Sequence, residues 1–220
     1  MRFLDLAAAS LFLLASTAMA SPANPQNGVD YVALAQPQPV QAAGKKVEVI
    51  EFFMFHCPVC NAMEPMFEDW IRKQGERITV RRVHFPFTGP ADPEAHLFLA
   101  LEALGQAEAM TPKVFKAVHQ DRIRLSKDNA IIDWVAKNGI DRATFLNAWN
   151  SFGVTMKLRQ LGRIVSDYGI NHAPALVIDG RYMTSPSTVD AGRNTRDRNR
   201  LFQETLQVAD ALVAKAAQSK

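Results

Sequence analysis

The residues best suited to chemistry in this sequence are its two cysteines, which stand three positions apart as Cys57-Pro58-Val59-Cys60. An apolar, aromatic run of the length of a buried strand ends just before them at residue 55, and apolar residues at helical spacing follow. A Cys-x-x-Cys pair where a strand meets a helix is typical of thiol–disulfide exchange. We therefore predict a redox-active dithiol at this junction.

The predicted helix start favours the first cysteine as the reactive one. Pro58 would occupy the first helical position, which proline tolerates best because the N–H it lacks would have no partner there. Cys57 would face unpaired backbone N–H groups and the positive end of the helix dipole, and both stabilise a thiolate. Cys60 lies one turn further in and would be the buried resolving thiol. His56, if protonated, would lower the pKa of Cys57 further, or it is a strand-end histidine without effect on the cysteine.

Two other uses of a cysteine pair are less consistent with this spacing. A structural disulfide across two residues closes a very short loop and removes little entropy from the unfolded chain. A zinc site needs four ligands, usually including a second pair at similar spacing. No other cysteine exists, and the remaining histidines show no paired spacing: His84, His96, His119 and His172. We expect neither a metal nor a cofactor.

An acidic residue interrupts the apolar strand before the cysteines. Glu51 shares a face with Val49 and would point into the core beneath the cysteine helix, because side chains alternate along a strand. A buried carboxylate is costly without a task or a partner. With a raised pKa, Glu51 could take the proton from the second cysteine when a mixed disulfide resolves. The alternative is a paired structural charge, with Arg81 or Arg82 as the partner.

Composition and the N-terminus indicate an exported globular protein. The 220 residues are 48% hydrophobic, which is enough for an ordinary core, and the net charge of +3 comes without a lysine or arginine block that would bind nucleic acid. Arg2, an apolar stretch over 6–14 and Ala18-Met19-Ala20 predict a secretory signal cleaved after Ala20. That apolar stretch is shorter than the ~20 residues of a spanning helix.

Hydrophobic periodicity and turn signals predict the remaining elements. In chain order they are a proline-rich leader with a short strand at 31–34, strand 47–55, a helix to about residue 73, strand 78–85, four helices between 93 and 150, helix 155–168, strands 175–178 and 181–184 around Asp179-Gly180, and a final helix over 197–217. Asp128 and Asp141 should start helices, Gly105 and Gly139 should end them, and Pro65 should kink the cysteine helix near Met63. Four consecutive helices between strands indicate an inserted helical subdomain.

Three stretches of the chain resemble DsbA-type periplasmic thiol:disulfide oxidoreductases of the thioredoxin superfamily. They are EFFMFHCPVC at 51–60, AWNSF at 148–152 and HAPALVIDGRY at 172–182. The resemblance implies an α/β, thioredoxin-like fold with an inserted all-helical subdomain. We expect a signal peptide at 1–20, the two parts of the thioredoxin-like domain at 21–88 and 155–220, and the helical subdomain at 89–154.

The resemblance also implies a site and its partners. Pro174 would be a cis-proline beside the cysteines, His172 and Ala173 would line a substrate groove, and Cys57 would form the mixed disulfide. The substrates would be reduced secreted proteins, and a quinone-linked membrane oxidase of the DsbB type would restore the disulfide in the periplasm.

Three positions depart from the usual pattern of that family. Val59 stands where a histidine is common, so His56, Pro58 and Val59 together would set the redox properties. Ala173 stands where valine or threonine often precedes the cis-proline. The lysine that often accompanies the buried glutamate is replaced, at best, by an arginine.

Two alternative functions follow from the same residues. One is a disulfide isomerase or reductase on the same fold. Isomerases of this superfamily usually carry a dimerisation domain first, and only residues 21–46 precede the first core strand, which favours a monomeric oxidase. The other is a non-enzymatic binding protein or chaperone that would hold unfolded chains with five apolar residues near the cysteines, although such residues more often form the core: Phe53, Met54, Phe55, Met63 and Met66.

Overall fold

The computed structural model describes residues 21–193 and 196–220, so the predicted signal sequence at 1–20 lies outside the described residues. Its five-stranded sheet has the order β1-β5-β4-β2-β3. The strands are β1 Val32–Ala33, β2 Val47–Phe53, β3 Ile78–His84, β4 Ala175–Ile178 and β5 Tyr182–Thr184. Strand β2 lies between β3, which is parallel to it, and β4, which is antiparallel, and every β2 residue is buried.

Helices cover both faces of the sheet. They are α1 Pro58–Gln74, α2 Pro93–Ala103, α3 Ala107–His119, α4 Asp128–Lys137, α5 Arg142–Trp149, α6 Phe152–Asp167, α7 Pro186–Arg193 and α8 Arg198–Ala217. Helices α2 to α5 follow one another between β3 and α6, so the predicted helical insertion is present in an α/β, thioredoxin-like fold. The subdomain limits at 88 and 154 remain a prediction.

Strand β2 divides its side chains between two cores because successive residues point to opposite faces. Ile50 and Phe52 pack with apolar residues of the helical insertion and α6. Val47 and Val49 pack on the other face with residues of α1 and α8. The helix that carries the cysteines and the helical insertion are therefore both anchored to one central strand.

Local signals placed several helix ends correctly. Asp141 caps α5 by accepting a hydrogen bond from the Thr144 backbone N–H at 2.8 Å, and Gly105 and Gly139 adopt positive φ after α2 and α4. Asp128 is the first residue of α4, one position after its cap. Helix α1 continues through Pro65, and the kink expected there remains a prediction.

Other boundaries differ from the sequence predictions. Strand β2 ends at Phe53 rather than at residue 55, because Met54 opens a turn in which its carbonyl accepts the Cys57 N–H at 3.2 Å. The apolar spacing predicts a helix over 112–120, whereas α3 begins earlier, at Ala107. Pro112 lies inside the helix and is exposed, so the carbonyl that it leaves unpaired can bond to water. Helix α7 was not predicted. No helix among the described residues is both long and apolar enough to cross a bilayer.

Candidate active site

Cys57 is the N-cap of α1, with extended backbone at φ −76° and ψ 116°, and Pro58 is the first helical residue as predicted. The Cys60 backbone N–H donates a hydrogen bond to the Cys57 sulfur at 3.3 Å. A bond with the Cys60 thiol, together with the N–H groups of Cys60 and Val59, outweighs burial and lowers the pKa of Cys57 to about 6. The sulfur therefore lies where a thiolate is stabilised.

Cys60 has the opposite electrostatic environment. The residue is 1% exposed, compared with 7% for Cys57, and both cysteines are free thiols. Burial raises the pKa of Cys60, and the neighbouring Cys57 raises it further. The pair thus combines one acidic thiol that retains slight exposure with one fully buried thiol that keeps its proton.

The loop before β4 lies against the first cysteine. The Ala173–Pro174 peptide bond is cis, as the resemblance implies. The Cys57 thiol donates to the Ala173 carbonyl across 3.6 Å. This contact follows from the sheet, since β4 pairs with β2 and sets Ala175 opposite Phe52, just ahead of the cysteines.

His172, two residues before the cis-proline, is held by hydrogen bonds through both ring nitrogens. Its Nε2 lies 2.8 Å from the Ser185 hydroxyl and its Nδ1 lies 2.6 Å from Oδ1 of Asn171. Ser185 also accepts the Thr188 backbone N–H, at the start of α7. Burial lowers the pKa of His172. Helix α7, which the sequence did not predict, therefore contributes to holding the cis-proline loop.

His56 pairs with a residue that sequence reasoning missed. Its Nδ1 lies 2.7 Å from Oε2 of Glu94, and the hydrogen bond to Glu94 raises the pKa of His56. The exposed ring of Phe87 lies 5.2 Å from the imidazole. Glu94 follows Asp92-Pro93 in the sequence, which is an ordinary helix-start pattern, so only its position in the fold distinguishes it.

Glu51 lies beneath α1, where the alternation of β2 was expected to place it. Its side chain is 5% exposed, and its Oε2 lies 2.9 Å from Nε of Arg82. Burial outweighs the attraction of Arg82 and raises the pKa of Glu51 to about 8. The carboxyl group is therefore both paired with an arginine and able to hold a proton near neutral pH.

The arginine partner of the buried glutamate is Arg82 and not its neighbour. Arg82 also lies 3.0 Å from Glu64 and 2.8 Å from Glu68, both on α1. Arg81 lies instead 3.6 Å from Glu48, and it donates to the Tyr168 hydroxyl. One cation thus serves three carboxyl groups under the cysteine helix.

The apolar residues that a chaperone would use are largely in the cores. Phe53, Phe55 and Met63 are at most 3% exposed, and Met54 and Met66 are partly buried against the same clusters.

Across residues 21–193 and 196–220, no three or more His, Cys, Asp or Glu side chains are grouped so as to hold a metal ion.

Comparison with known proteins agrees with this geometry. Residues 92–191 match the model of the DSBA-like thioredoxin domain. The chain is 38% identical over 211 residues to the thiol:disulfide interchange protein DsbA of Burkholderia cepacia, covering 96% of this chain and 95% of the relative. It is 35% identical over 204 residues to the Bordetella pertussis protein of the same name, with 92% of each covered.

Solved structures give the same result. The crystal structure of Pseudomonas aeruginosa DsbA superposes with a TM-score of 0.73 at 31% identity, covering 88% of this chain and 96% of that one. The oxidoreductase DsbA from Xylella fastidiosa superposes with a TM-score of 0.74 at 25% identity, covering 87% and 97%. The chain therefore belongs to the DsbA family of thiol:disulfide oxidoreductases.

Proposed function

We propose that this protein is a periplasmic dithiol–disulfide oxidase that donates the Cys57–Cys60 disulfide to newly exported proteins. The observation that carries the proposal is the position of Cys57 at the N-cap of α1, where backbone N–H groups and the Cys60 thiol lower its pKa to about 6. Stabilising this thiolate favours the reduced pair, and a pair that prefers to be reduced oxidises its partners.

The transfer proceeds through two exchanges. A substrate thiolate attacks the Cys57 sulfur, the Cys57–Cys60 bond breaks, and Cys60 leaves as a thiolate that takes up a proton. The substrate's second thiolate then attacks the substrate sulfur of the mixed disulfide and releases Cys57 as a thiolate. The substrate loses two electrons in forming its disulfide, and the enzyme pair gains them.

Glu51 is the proton acceptor for the second cysteine in the reverse direction. When Cys60 attacks a mixed disulfide at Cys57, its thiol must lose a proton, although burial raises its pKa. The ionised fraction of a carboxyl group with a pKa of about 8 can accept that proton, and the protonated form can return it when the disulfide breaks again. The burial of Glu51 beneath the cysteine helix supports this role.

The cis-proline loop forms the substrate groove. The contact of the Cys57 sulfur with the Ala173 carbonyl supports a position for Pro174 beside the mixed disulfide. An extended substrate segment would pair with the backbone at His172 and Ala173. Pro58 and Val59, between the cysteines, tune the pair by starting the helix and by adding no charge of their own.

Reoxidation requires an electron acceptor. We propose that a quinone-linked membrane oxidase of the DsbB type takes two electrons from the reduced pair, and that the protein acts as a monomer. The predicted signal peptide supports placement in the periplasm, where such a partner would be reached.

Equilibration of the pair with mixtures of reduced and oxidised glutathione tests the direction of transfer. We expect Cys57–Cys60 to become reduced at glutathione ratios that leave structural disulfides intact. A pair that stays oxidised under those conditions would favour the reductase alternative, and faster rescue of scrambled disulfides than oxidation of reduced substrate would favour an isomerase.

Single cysteine variants test the order of attack. Cys60→Ser should accumulate a mixed disulfide with a model substrate that contains a disulfide: the Cys57 thiolate attacks the substrate disulfide, one substrate sulfur leaves as a thiolate, and no Cys60 thiol remains to resolve the new bond. Cys57→Ser should form none. A mixed disulfide that forms equally well at Cys60 would contradict the proposed mechanism.

A further inference from the structure

Glu94 is joined to the residue before the reactive cysteine through two contacts. Its Oε2 accepts the His56 backbone N–H at 3.2 Å and lies 2.7 Å from the His56 Nδ1. The Glu94 side chain is 12% exposed, so water competes little for this oxygen. One carboxylate oxygen thus fixes both the backbone and the ring of His56, immediately before Cys57.

The groups around His56 favour its protonated form. Glu94 and Asp92 face it from the start of α2, and Cys57 follows it in the chain. His84 on β3 adds no positive charge, because its Nε2 accepts the Phe55 N–H and burial lowers its pKa to about 4. The hydrogen bond to Glu94 is the largest cause that raises the pKa of His56.

We propose that Glu94 is a positioning residue that holds the imidazolium of His56 beside Cys57 and so stabilises the Cys57 thiolate. This inference rests on the proposed oxidase function, which needs that thiolate. Neither Pro58 nor Val59 carries a charge, so the two residues between the cysteines cannot stabilise the thiolate with a positive side chain. The positive charge comes from the residue before the pair, and the helical insertion supplies its counter-ion.

The turn itself has further tethers that do not involve Glu94. The Phe55 N–H donates to His84, and the Phe55 carbonyl lies 2.7 Å from Nε2 of His119 on α3. These two bonds should preserve the path of the turn when the Glu94 charge is removed. Glu94→Gln is therefore expected to change the electrostatics of the site while the turn keeps its conformation.

The structural alternative is that Glu94 only stabilises α2, since an acidic residue in a first helical turn interacts favourably with the helix dipole. Glu108 provides a matched control, because it is the second residue of α3 as Glu94 is of α2, and it is exposed. Both Glu→Gln variants lose the same dipole interaction. Only Glu94→Gln should change the pKa of Cys57.

The experiment is a thiolate absorbance titration of the reduced protein and its variants. Glu94→Gln should raise the pKa of Cys57 by about half a unit to one unit, and His56→Asn should raise it similarly. In the His56→Asn background, Glu94→Gln should leave the pKa of Cys57 unchanged or lower it, because the carboxylate is then only a negative charge near the thiolate. Glu108→Gln should have no effect.

Two results would overturn the inference: an unchanged Cys57 pKa in Glu94→Gln, or an equal rise in the presence and absence of His56. A wild-type Cys57 with an ordinary thiol pKa would instead contradict the proposed function. If the pKa of Cys57 is low in wild type and is unchanged in Glu94→Gln, only the role of Glu94 is contradicted.

A second measurement needs no variant at position 94. NMR titration of His56 in the oxidised protein, where Cys57 carries no charge, should give a pKa above the ordinary value of about 6.5. A His56 pKa at or below that value would also overturn the inference, whether or not Glu94→Gln folds.

Discussion

Nε of Arg82 lies 2.9 Å from Oε2 of Glu51, at paired positions of the parallel strands β3 and β2. The guanidinium also contacts two carboxyl groups of α1, so one cation is shared by three buried or half-buried acids. Burial raises the pKa of Glu51, and the neighbouring carboxyl groups of Glu64 and Glu68 raise it further. The shared charge of Arg82 lowers the pKa but does not offset these effects, so the pKa of Glu51 is raised to about 8. A proton is thereby stored beneath the cysteines near neutral pH.

This proton makes stability depend on pH in a defined direction. The raised pKa means that the folded protein holds one more proton than the unfolded chain between about pH 5 and 8, so this group's contribution to stability falls as pH rises through that window. Glu51→Gln removes the dependence. Relative to wild type, its free energy of unfolding should rise by about 2 to 4 kcal/mol from pH 5 to 8 in urea titrations.

An exposed glutamate controls for the loss of one carboxylate. Glu76 pairs with Lys46 at the surface, which lowers its pKa, so Glu76→Gln should show a stability difference from wild type that is constant over the same range. If the difference in free energy of unfolding between Glu51→Gln and wild type is also constant from pH 5 to 8, the raised pKa of Glu51 is contradicted.

Removing the shared cation should be strongly destabilising. Arg82→Met leaves the carboxyl groups of Glu51 and Glu64 buried without their ion pair, which should cost about 3 to 5 kcal/mol at pH 8 in urea unfolding. The loss should shrink toward pH 5, because protonated carboxyl groups need no cation. Arg81→Met is the control with a smaller loss, and equal losses for the two variants would contradict the special role of Arg82.

The two cysteines should differ sharply in reactivity. In the reduced folded protein at pH 7, brief treatment with iodoacetamide should modify Cys57 and spare Cys60, because Cys57 is acidic and slightly exposed whereas Cys60 is fully buried and keeps its proton. Peptide mass spectrometry locates the label. Cys57→Ser should take up almost none, and comparable labelling of both cysteines without unfolding would refute this assignment.

A positive charge between the cysteines should strengthen the oxidant. Val59→His should lower the pKa of Cys57 by about half a unit and shift the glutathione equilibrium toward the reduced enzyme. Val59→Asn adds a polar side chain without charge and should shift neither quantity to the same extent. If the two variants behave alike, charge at this position is not what tunes the pair.

The hairpin after the cis-proline depends on a glycine. A Cβ at Gly180, where φ is +62°, would lie 2.2 Å from the Gln38 carbonyl oxygen, so Gly180→Ala should lower the free energy of unfolding by about 1 to 3 kcal/mol. Gly162→Ala, inside α6 with open space around it, should instead stabilise by about 0.5 to 1 kcal/mol. Similar values for both would contradict the close contact with Gln38.

Local signals in the sequence determined the elements that carry the chemistry. The apolar run, Pro58 and the helical spacing predicted Cys57 at a strand-to-helix junction. Asp179-Gly180 predicted the turn that joins β4 to β5. These preferences act over a few neighbouring residues. The buried position of Glu51 also followed from alternation along its strand. Each of these depends on residues close together in the chain.

Only the tertiary structure determined which charges meet. Arg81 and Arg82 are equivalent as sequence neighbours, but the register of β3 against β2 sets Arg82 opposite Glu51 and Arg81 opposite Ile50. Glu94 resembles any acid at a helix start until the packing of α2 brings it to His56. Strand register and helix packing depend on the fit of distant segments, and one residue of slip in a strand reverses the face of every side chain.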